Sequence, residues 1–407
     1  MTEEDRDYLA VQGLEKKISD ALAIVLREKP KDAAGRMAEL LTPAPKATES
    51  YLETVGRTPM VKLGKMLPPE CKATIYAKME MQNPGGSIKD RIALNMIEEA
   101  EKSGRLKPGM TIVEATSGNT GIGVAMVAAA KGYKCIVIMP QIPPMMERYM
   151  IARMFGAEVH LTAPGLGGKG LLEYYNQLFR ANPDKYFPTD QFQNLNNPDT
   201  HTKTTGPEVW AQTGGEVDVF VHGIGTGGCI AGTGKYLKAH NPAVQIVAIE
   251  PSESRVHVGA PPAPHAIVGI GPNIITNFLN MPEGEHGPRA LAEPTPIPGI
   301  IDEWASASAD ESVEYARKAC QLEGMMVGPS AGAALKVAIE LGSRPVNAGK
   351  TIVCIIASHG IRYISHPMWA PLKKEAAAAL PSPPNTSKDI ELMQWRSEDA
   401  PAAVRAS

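Results

Sequence analysis

Lys89 offers this chain's most distinctive chemistry, because of the segment that carries it. It stands in Asn83-Pro-Gly-Gly-Ser-Ile-Lys-Asp-Arg91, where Ile88, Ile92, Met96 and Ala100 recur at helical spacing. Ser87 is the candidate N-cap, which puts Lys89 in the first helical turn. The helix macrodipole disfavours a cation there, and the glycine pair lets another backbone or a ligand come close. A lysine with a destabilised ammonium supplies the neutral amine needed for imine formation or general-base work. The plain alternative is a solvated surface lysine.

Three further segments set glycines and small polar residues before a helix, the first two directly after a strand. In Glu114-Ala-Thr-Ser-Gly-Asn-Thr-Gly121, the donors Thr116, Ser117, Asn119 and Thr120 converge where a helix N-terminus can hold a carboxylate; a capped tight turn is the alternative. In Val219-Phe-Val-His-Gly-Ile-Gly-Thr-Gly-Gly-Cys229, Gly223, Gly225 and Gly228 satisfy G-x-G-x-x-G, and Glu250 ends the next strand where a ribose-binding acid would stand. That spacing admits a nicotinamide dinucleotide. The same loop equally cradles one phosphate monoester through its amides and Thr226. In Gly328-Pro-Ser-Ala-Gly-Ala-Ala334, Ser330 is either an ordinary N-cap or a neutral hydroxyl for a heteroaromatic ring nitrogen.

The elements that must position these segments alternate. Apolar β-branched runs at 73–77, 111–113, 135–139, 217–221, 245–249 and 351–356 are separated by helical stretches, as in buried parallel strands joined by crossovers. The expected class is α/β with an open sheet or two sheets. Ahead of it, Leu14, Ile18, Leu22 and Val25 predict a helix over 7–28 stopped by Pro30, and Ala33 to Leu41 a second one. Such a hairpin, within 1–45, cannot bury its apolar face alone. It packs on the main domain or pairs with its own copy. Its pattern resembles the dimerisation-docking hairpin of the regulatory subunit of cyclic-AMP-dependent kinase, which implies a dimerisation module. Residues 373–407, with Pro381-Ser-Pro-Pro384, read as a flexible tail.

Composition narrows the function classes. The chain has 407 residues, 43% hydrophobic and 21% charged, with 41 Lys and Arg against 44 Asp and Glu. That balance favours neither nucleic acid nor an anionic membrane surface. No apolar run approaches the ~18 residues of a membrane span, and the acidic start Thr2-Glu-Glu-Asp5 is unlike a targeting peptide, so a cytoplasmic location is expected. Five cysteines, odd in number and far apart, read as buried thiols rather than disulfides or a metal site.

Taken in order, the four segments resemble the cysteine synthase (O-acetylserine sulfhydrylase) family of pyridoxal-phosphate enzymes. The likeness runs over about 51–370 and includes Gly56-Arg-Thr-Pro-Met60, Thr205-Gly-Pro-Glu208 and Gly269-Ile-Gly271. It implies the two-lobed open-sheet fold of the tryptophan synthase β type (PLP fold type II) over 51–372, with a small lobe of roughly 87–196. It implies that Lys89 bonds pyridoxal 5'-phosphate as an imine and serves as the catalytic base, and that Asn119 meets the cofactor's 3-hydroxyl. Gly225, Thr226, Gly227, Gly228 and Cys229 would hold the phosphate, Ser330 the ring nitrogen, and Thr116, Ser117, Gly118, Thr120 and Gln191 the substrate carboxylate. The implied reaction makes L-cysteine from O-acetyl-L-serine and sulfide through an α-aminoacrylate intermediate. Implied partners are a second copy in a homodimer and, in parts of the family, a C-terminal peptide of a serine acetyltransferase.

Departures from the family pattern cluster at the site mouth. Cys229 replaces a threonine, Pro272-Asn-Ile274 follows Gly269-Ile-Gly271, Pro143-Pro144 alters the loop at 141–146, and Ser358-His-Gly-Ile-Arg-Tyr363 replaces a more acidic run. These changes leave the second substrate open. Cystathionine β-synthase and β-cyanoalanine synthase activities, and a non-catalytic cofactor-binding paralogue, are the alternatives within the fold. A dinucleotide oxidoreductase would make no use of Lys89.

Overall fold

The computed structural model describes residues 14–29, 32, 33, 37, 47–142, 145–279 and 300–378. The chain divides into two compact units, Met1–Glu53 and Thr54–Ser407. In the first unit, helix α1 (Leu14–Glu28) leaves Ile18, Leu22 and Leu26 exposed along one stripe, while Ala21 and Val25 are buried. It ends as expected before Pro30, with Lys29 in the left-handed region (φ 47°) and its amide donating to Val25 O at 2.8 Å. The second helix of the expected hairpin falls largely outside the described residues, as does everything beyond 378.

The second unit is built on two sheets. One runs β1 (Met60–Lys62), β2 (Thr74–Lys78), β10 (Thr351–Ile355), β7 (Val219–Gly223), β8 (Gln245–Pro251), β9 (Glu303–Ala307) and is parallel except for the β1–β2 pair. The other runs β5 (Glu158–Thr162), β4 (Lys134–Pro140), β3 (Thr111–Ala115), β6 (Tyr186–Pro188) and is all parallel. Buried Ile, Val and Cys side chains fill β4, β7, β8 and β10, as expected of strands covered on both faces. The strands β1, β5, β6 and β9 lie outside the expected runs because their patterns are weaker; β1 is only three residues, β5 begins Glu-Val-His and β6 is three residues with a terminal proline.

The helices that matter for the site follow strands or loops directly. They are α2 (Lys89–Lys102), α3 (Asn119–Lys131), α4 (Met146–Met154), α5 (Gly167–Ala181), α6 (Asn196–Lys203), α7 (Thr205–Gln212), α8 (Gly228–His240), α9 (Ala309–Glu323) and α10 (Pro329–Ser343). α10 is buried over most of its length against the larger sheet. A last helix, α11 (Ala370–Ala378), extends into the stretch expected to begin the tail at 373; its Ala-Pro-Leu-Lys-Lys-Glu-Ala-Ala-Ala sequence is rich in strong helix formers. All five cysteines are free, as expected: Cys135, Cys229 and Cys354 are buried, while Cys71 is half-buried and Cys320 exposed. Among the described residues no group of His, Cys, Asp and Glu could hold a metal, and no helix is long and apolar enough to cross a membrane.

Candidate active site

The loop before α2 is sewn to the chain leaving β10. Met81 N donates to Ile356 O and Ile88 N to Ala357 O, both at 2.9 Å, and Ser87 forms an isolated bridge with Ser358. The same segment also receives the start of α10, because Gly328 N donates to Ser358 O at 2.9 Å. Lys89 and Ser330 are therefore held by two flanks of one short piece of backbone. Ile88, at the cap position of α2, already has helical φ and ψ, and one residue earlier the buried Ser87 hydroxyl accepts from Lys89 N at 3.2 Å, the capping bond expected of it.

Two residues beyond Lys89, Arg91 ties α2 into the core. Its Nε and Nη2 reach Glu80 Oε2 and Oε1, and Nη1 and Nη2 reach Glu208, each at 2.7 Å. Lys78 Nζ completes the network at 2.6 Å from Glu208 Oε2. Burial opposes ionisation of Glu208, yet the bonds from Arg91 and Lys78 hold its carboxyl down to about 2. Lys89 itself has no carboxylate within 4 Å among the described residues, and burial lowers its pKa from the ordinary lysine value. The neutral amine expected from its helical position is favoured by desolvation as well.

The glycine loop after β7 lies in the same cleft, which is lined by Lys89, Asn197, His222, Gly225, Thr226 and Cys229, among others. Gly227 has a left-handed backbone (φ 85°) and caps α8 without a side-chain hydrogen bond. A Cβ on Gly228 would stand 2.0 Å from Asn197 Oδ1, and one on Gly225 2.7 Å from Gly269 O. Only glycine lets the loop come so close to the Asn197 side chain and the Gly269 backbone. Thr226 Oγ1 accepts from Asn197 Nδ2 at 2.9 Å and from Gly228 N at 3.3 Å. Cys229 turns its thiol to 3.9 Å from Thr233 Oγ1, and burial pushes it up to about 12, so it is a neutral thiol.

Asn197 joins this loop to the second segment, since its Nδ2 also donates to Gln191 O at 2.7 Å. Thr120 Oγ1 donates to Gln191 Oε1 at 2.6 Å, Gly118 N donates to Thr116 Oγ1 at 3.1 Å, and Ser117 is exposed at the loop tip. Asn119 faces the other way, donating through Nδ2 to Tyr363 OH at 3.0 Å and accepting from Arg362 Nη1 at 3.5 Å. Ser330 is the second residue of α10, not its cap, which is Gly328. It is buried, and a Cβ on Gly269 would lie 3.5 Å from its Oγ.

The structure thus lines one cleft with Lys89, Gly225, Thr226, Gly227 and Cys229 and tethers Gln191 to it through Asn197. Thr116, Ser117 and Gly118 stand on the loop before α3, Asn119 and Thr120 in the first turn of α3, and Ser330 in the first turn of α10; these, and Gly228, are not among the residues of the lining. Asn197, His201 and His222 line it too, beyond the residues expected from sequence, because single polar residues inside a helix or a buried strand carry no local signal. Burial lowers the His222 pKa to about 3 and leaves Nδ1 without a hydrogen bond. Glu250, the acid a dinucleotide would need, is buried and holds His257 through Oε1, 2.9 Å from His257 N and 2.7 Å from its Nδ1, while Oε2 has no hydrogen bond.

Tested against pyridoxal phosphate, the donor set fits. A helix start with no side-chain cap, a threonine hydroxyl and closely packed glycines suit a phosphate monoester. The amine beside them has a lowered pKa and no carboxylate partner, as a carbonyl-bearing cofactor requires.

Comparison with known proteins agrees. The family described as "Pyridoxal-phosphate dependent enzyme" matches residues 51–358. The cysteine synthase of Staphylococcus aureus (strain Mu50) is 41% identical over 328 residues, 80% of this chain and 99% of that protein. The solved O-acetyl serine sulfhydrylase isoform 3 of Entamoeba histolytica superposes with a TM-score of 0.72 at 37% identity, over 81% of this chain and 93% of that one. The O-acetylserine dependent cystathionine beta-synthase of Helicobacter pylori gives 0.71 at 33% identity, over 80% of this chain and 100% of that one. With the family matched over most of the chain and a curated relative spanned nearly end to end, this protein belongs to the pyridoxal-phosphate-dependent enzymes of the O-acetylserine sulfhydrylase type.

Proposed function

We propose that this enzyme forms L-cysteine from O-acetyl-L-serine and sulfide by β-replacement. The observation that carries the reading is the shared cleft of Lys89 and the Gly225–Gly228 loop, an amine with a depressed pKa beside an anion cradle. When bound, pyridoxal phosphate supplies the electron withdrawal that acidifies the α-carbon of an amino acid and lets its β-substituent leave. Lys89 Nζ is the attachment atom and, once substrate has taken its place, the base that removes the α-proton and later returns it. The loop amides, with Thr226 and the neighbouring Cys229, hold the phosphate. Asn119 is assigned to the ring hydroxyl and Ser330 to the ring nitrogen, where a neutral hydroxyl leaves the ring a weaker electron sink than a carboxylate would. Thr116, Ser117, Gly118, Thr120 and Gln191 orient the substrate carboxylate.

The second reading is cystathionine formation from the same donor, favoured by the similarity to the Helicobacter pylori enzyme. The proposal extends to a catalytic region of 51–372 with a small lobe near 87–196, a cytoplasmic homodimer assisted by the N-terminal helices, and docking of a serine acetyltransferase C-terminal peptide. The exposed Ile18, Leu22 and Leu26 stripe supports the pairing of N-terminal helices. The test is spectroscopic. The purified protein should be coloured, change spectrum with O-acetylserine alone, and revert with sulfide. Reversion with homocysteine but not with sulfide would select the second reading; a colourless wild type would defeat both.

A further inference from the structure

Beneath the carboxylate loop lies a buried acid to which the proposed reaction assigns no role. Glu114 is 1% exposed on β3, and both its oxygens are engaged. Oε1 accepts from Gln191 Nε2 at 2.8 Å, and Oε2 pairs with the Thr189 hydroxyl. Thr189 Oγ1 is also 3.2 Å from Val113 O. One hydroxyl proton cannot serve two acceptors fully. If the carboxyl keeps its proton, both contacts are satisfied, because Glu114 donates to Thr189 and Thr189 donates to Val113 O. On the other side, Glu114 fixes the Gln191 amide with its nitrogen inward and its oxygen on the Thr120 hydroxyl. The second amide N–H is then the donor Gln191 retains for an anion.

We propose that Glu114 is a neutral carboxylic acid, the positioning residue that fixes Gln191, and through it Thr120, for the substrate carboxylate. The inference rests on the reading that these residues bind that carboxylate. The surroundings agree with a bound proton. The titratable groups facing Glu114 are Cys135 on β4, Tyr175 on α5 and Asp190 after β6, and these bring no positive charge to an ionised form. Burial, with Asp190 adding to it, raises the carboxyl to about 8 against the bonds from Thr189 and Gln191. An anion here would also repel the incoming carboxylate.

Two measurements on the full-length protein test this. Infrared titration of wild type against Glu114→Gln should show a protonated-acid carbonyl band at neutral pH that fades as pH rises through about 8; a band seen only below pH 5 overturns the proposal. In kinetics at pH 7, Glu114→Leu should raise KM for O-acetylserine about tenfold, the worth of one buried hydrogen bond, with kcat little changed. Glu114→Gln, the isostere of the neutral acid, should restore KM to within about twofold of wild type at pH 7. Its KM should stay flat to pH 9, where that of wild type climbs. A Gln variant as impaired as the Leu variant means the group works as an anion, which overturns the proposal. If Glu114→Leu fails to fold, the Gln pH profile decides alone. Absence of any turnover in wild type would sink the proposed reaction, while the infrared titration would still judge Glu114.

Discussion

Arg91 grips Glu80 through two parallel bonds of 2.7 Å, with both side chains essentially out of solvent, and does so two residues after Lys89. The pairing explains how a lysine in a helical first turn is kept aimed at a cleft: the first turn of α2 is clamped to the residues that follow β2. Glu208 on α7 and Lys78 on β2 extend the clamp, so three elements share one set of charges.

Removing one partner of this pair leaves the other buried and uncompensated. Arg91→Met should cost about 3–5 kcal/mol of unfolding free energy in urea titration. The double variant with Glu80→Leu should recover part of that loss. A double variant as damaged as the sum of the singles would mean that Arg91 acts by packing rather than by charge.

Gly228 provides a sharper probe of the anion cradle. Because its Cβ would stand 2.0 Å from Asn197 Oδ1, Gly228→Ala must displace the Asn197 side chain, which holds Thr226 and Gln191, or shift the loop itself. Equilibrium dialysis should show cofactor affinity falling at least about tenfold, the effect of about 1.4 kcal/mol. Gly104, with a left-handed φ of 70° but open space around it, is the control. There, alanine should lower stability by about 1 kcal/mol and leave cofactor binding intact.

Two buried groups should give stability slopes of opposite sign. Burial raises the Asp90 carboxyl to about 7 despite the opposing charge of Arg362, so the native state binds a proton that the unfolded chain releases near 3.8. Its stabilising share is complete below pH 3.8 and lost as pH rises through about 7. Relative to Asp90→Asn, wild type should therefore weaken across that window. His222, lowered to about 3 from 6.5, behaves conversely: wild type relative to His222→Gln should gain stability as pH rises from about 3 to 6.5. Paired denaturation curves at several pH values check both slopes, and parallel slopes would contradict these assignments.

The loops are the legible part of this sequence. Lys89, Gly225 to Gly228 and Thr116 to Thr120 are local clusters whose glycines and hydroxyls announce a backbone built to approach something. The buried parallel strands are legible from their β-branched runs, with edges one or two residues off; β7 is Val219–Gly223 where the run at 217–221 predicts it. Pairings across long sequence separations leave no such mark. Asn197 reaching Thr226, Asn119 meeting Tyr363 and Glu114 holding Gln191 depend on the tertiary register of different elements. The bridge from Ser87 to Ser358, 271 residues away in sequence, is another such pairing.

Cys229 offers a last prediction, about how firmly the phosphate is held. The thiol sits on the first turn of α8, lines the cleft beside Lys89, and is kept neutral because burial pushes it up to about 12. A neutral thiol is a weak donor, whereas a hydroxyl at the same atom donates strongly to an anion. Cys229→Ser should slow cofactor loss on gel filtration several-fold, by an interaction of about 0.5–1.5 kcal/mol. It should leave the rest of the fold unchanged, because serine is the smaller side chain. Alkylation at neutral pH should meanwhile mark the exposed Cys320 before Cys229 in wild type. Faster cofactor loss in the serine variant would show that the Sγ contact with Thr233, rather than a missing phosphate donor, is what this position contributes.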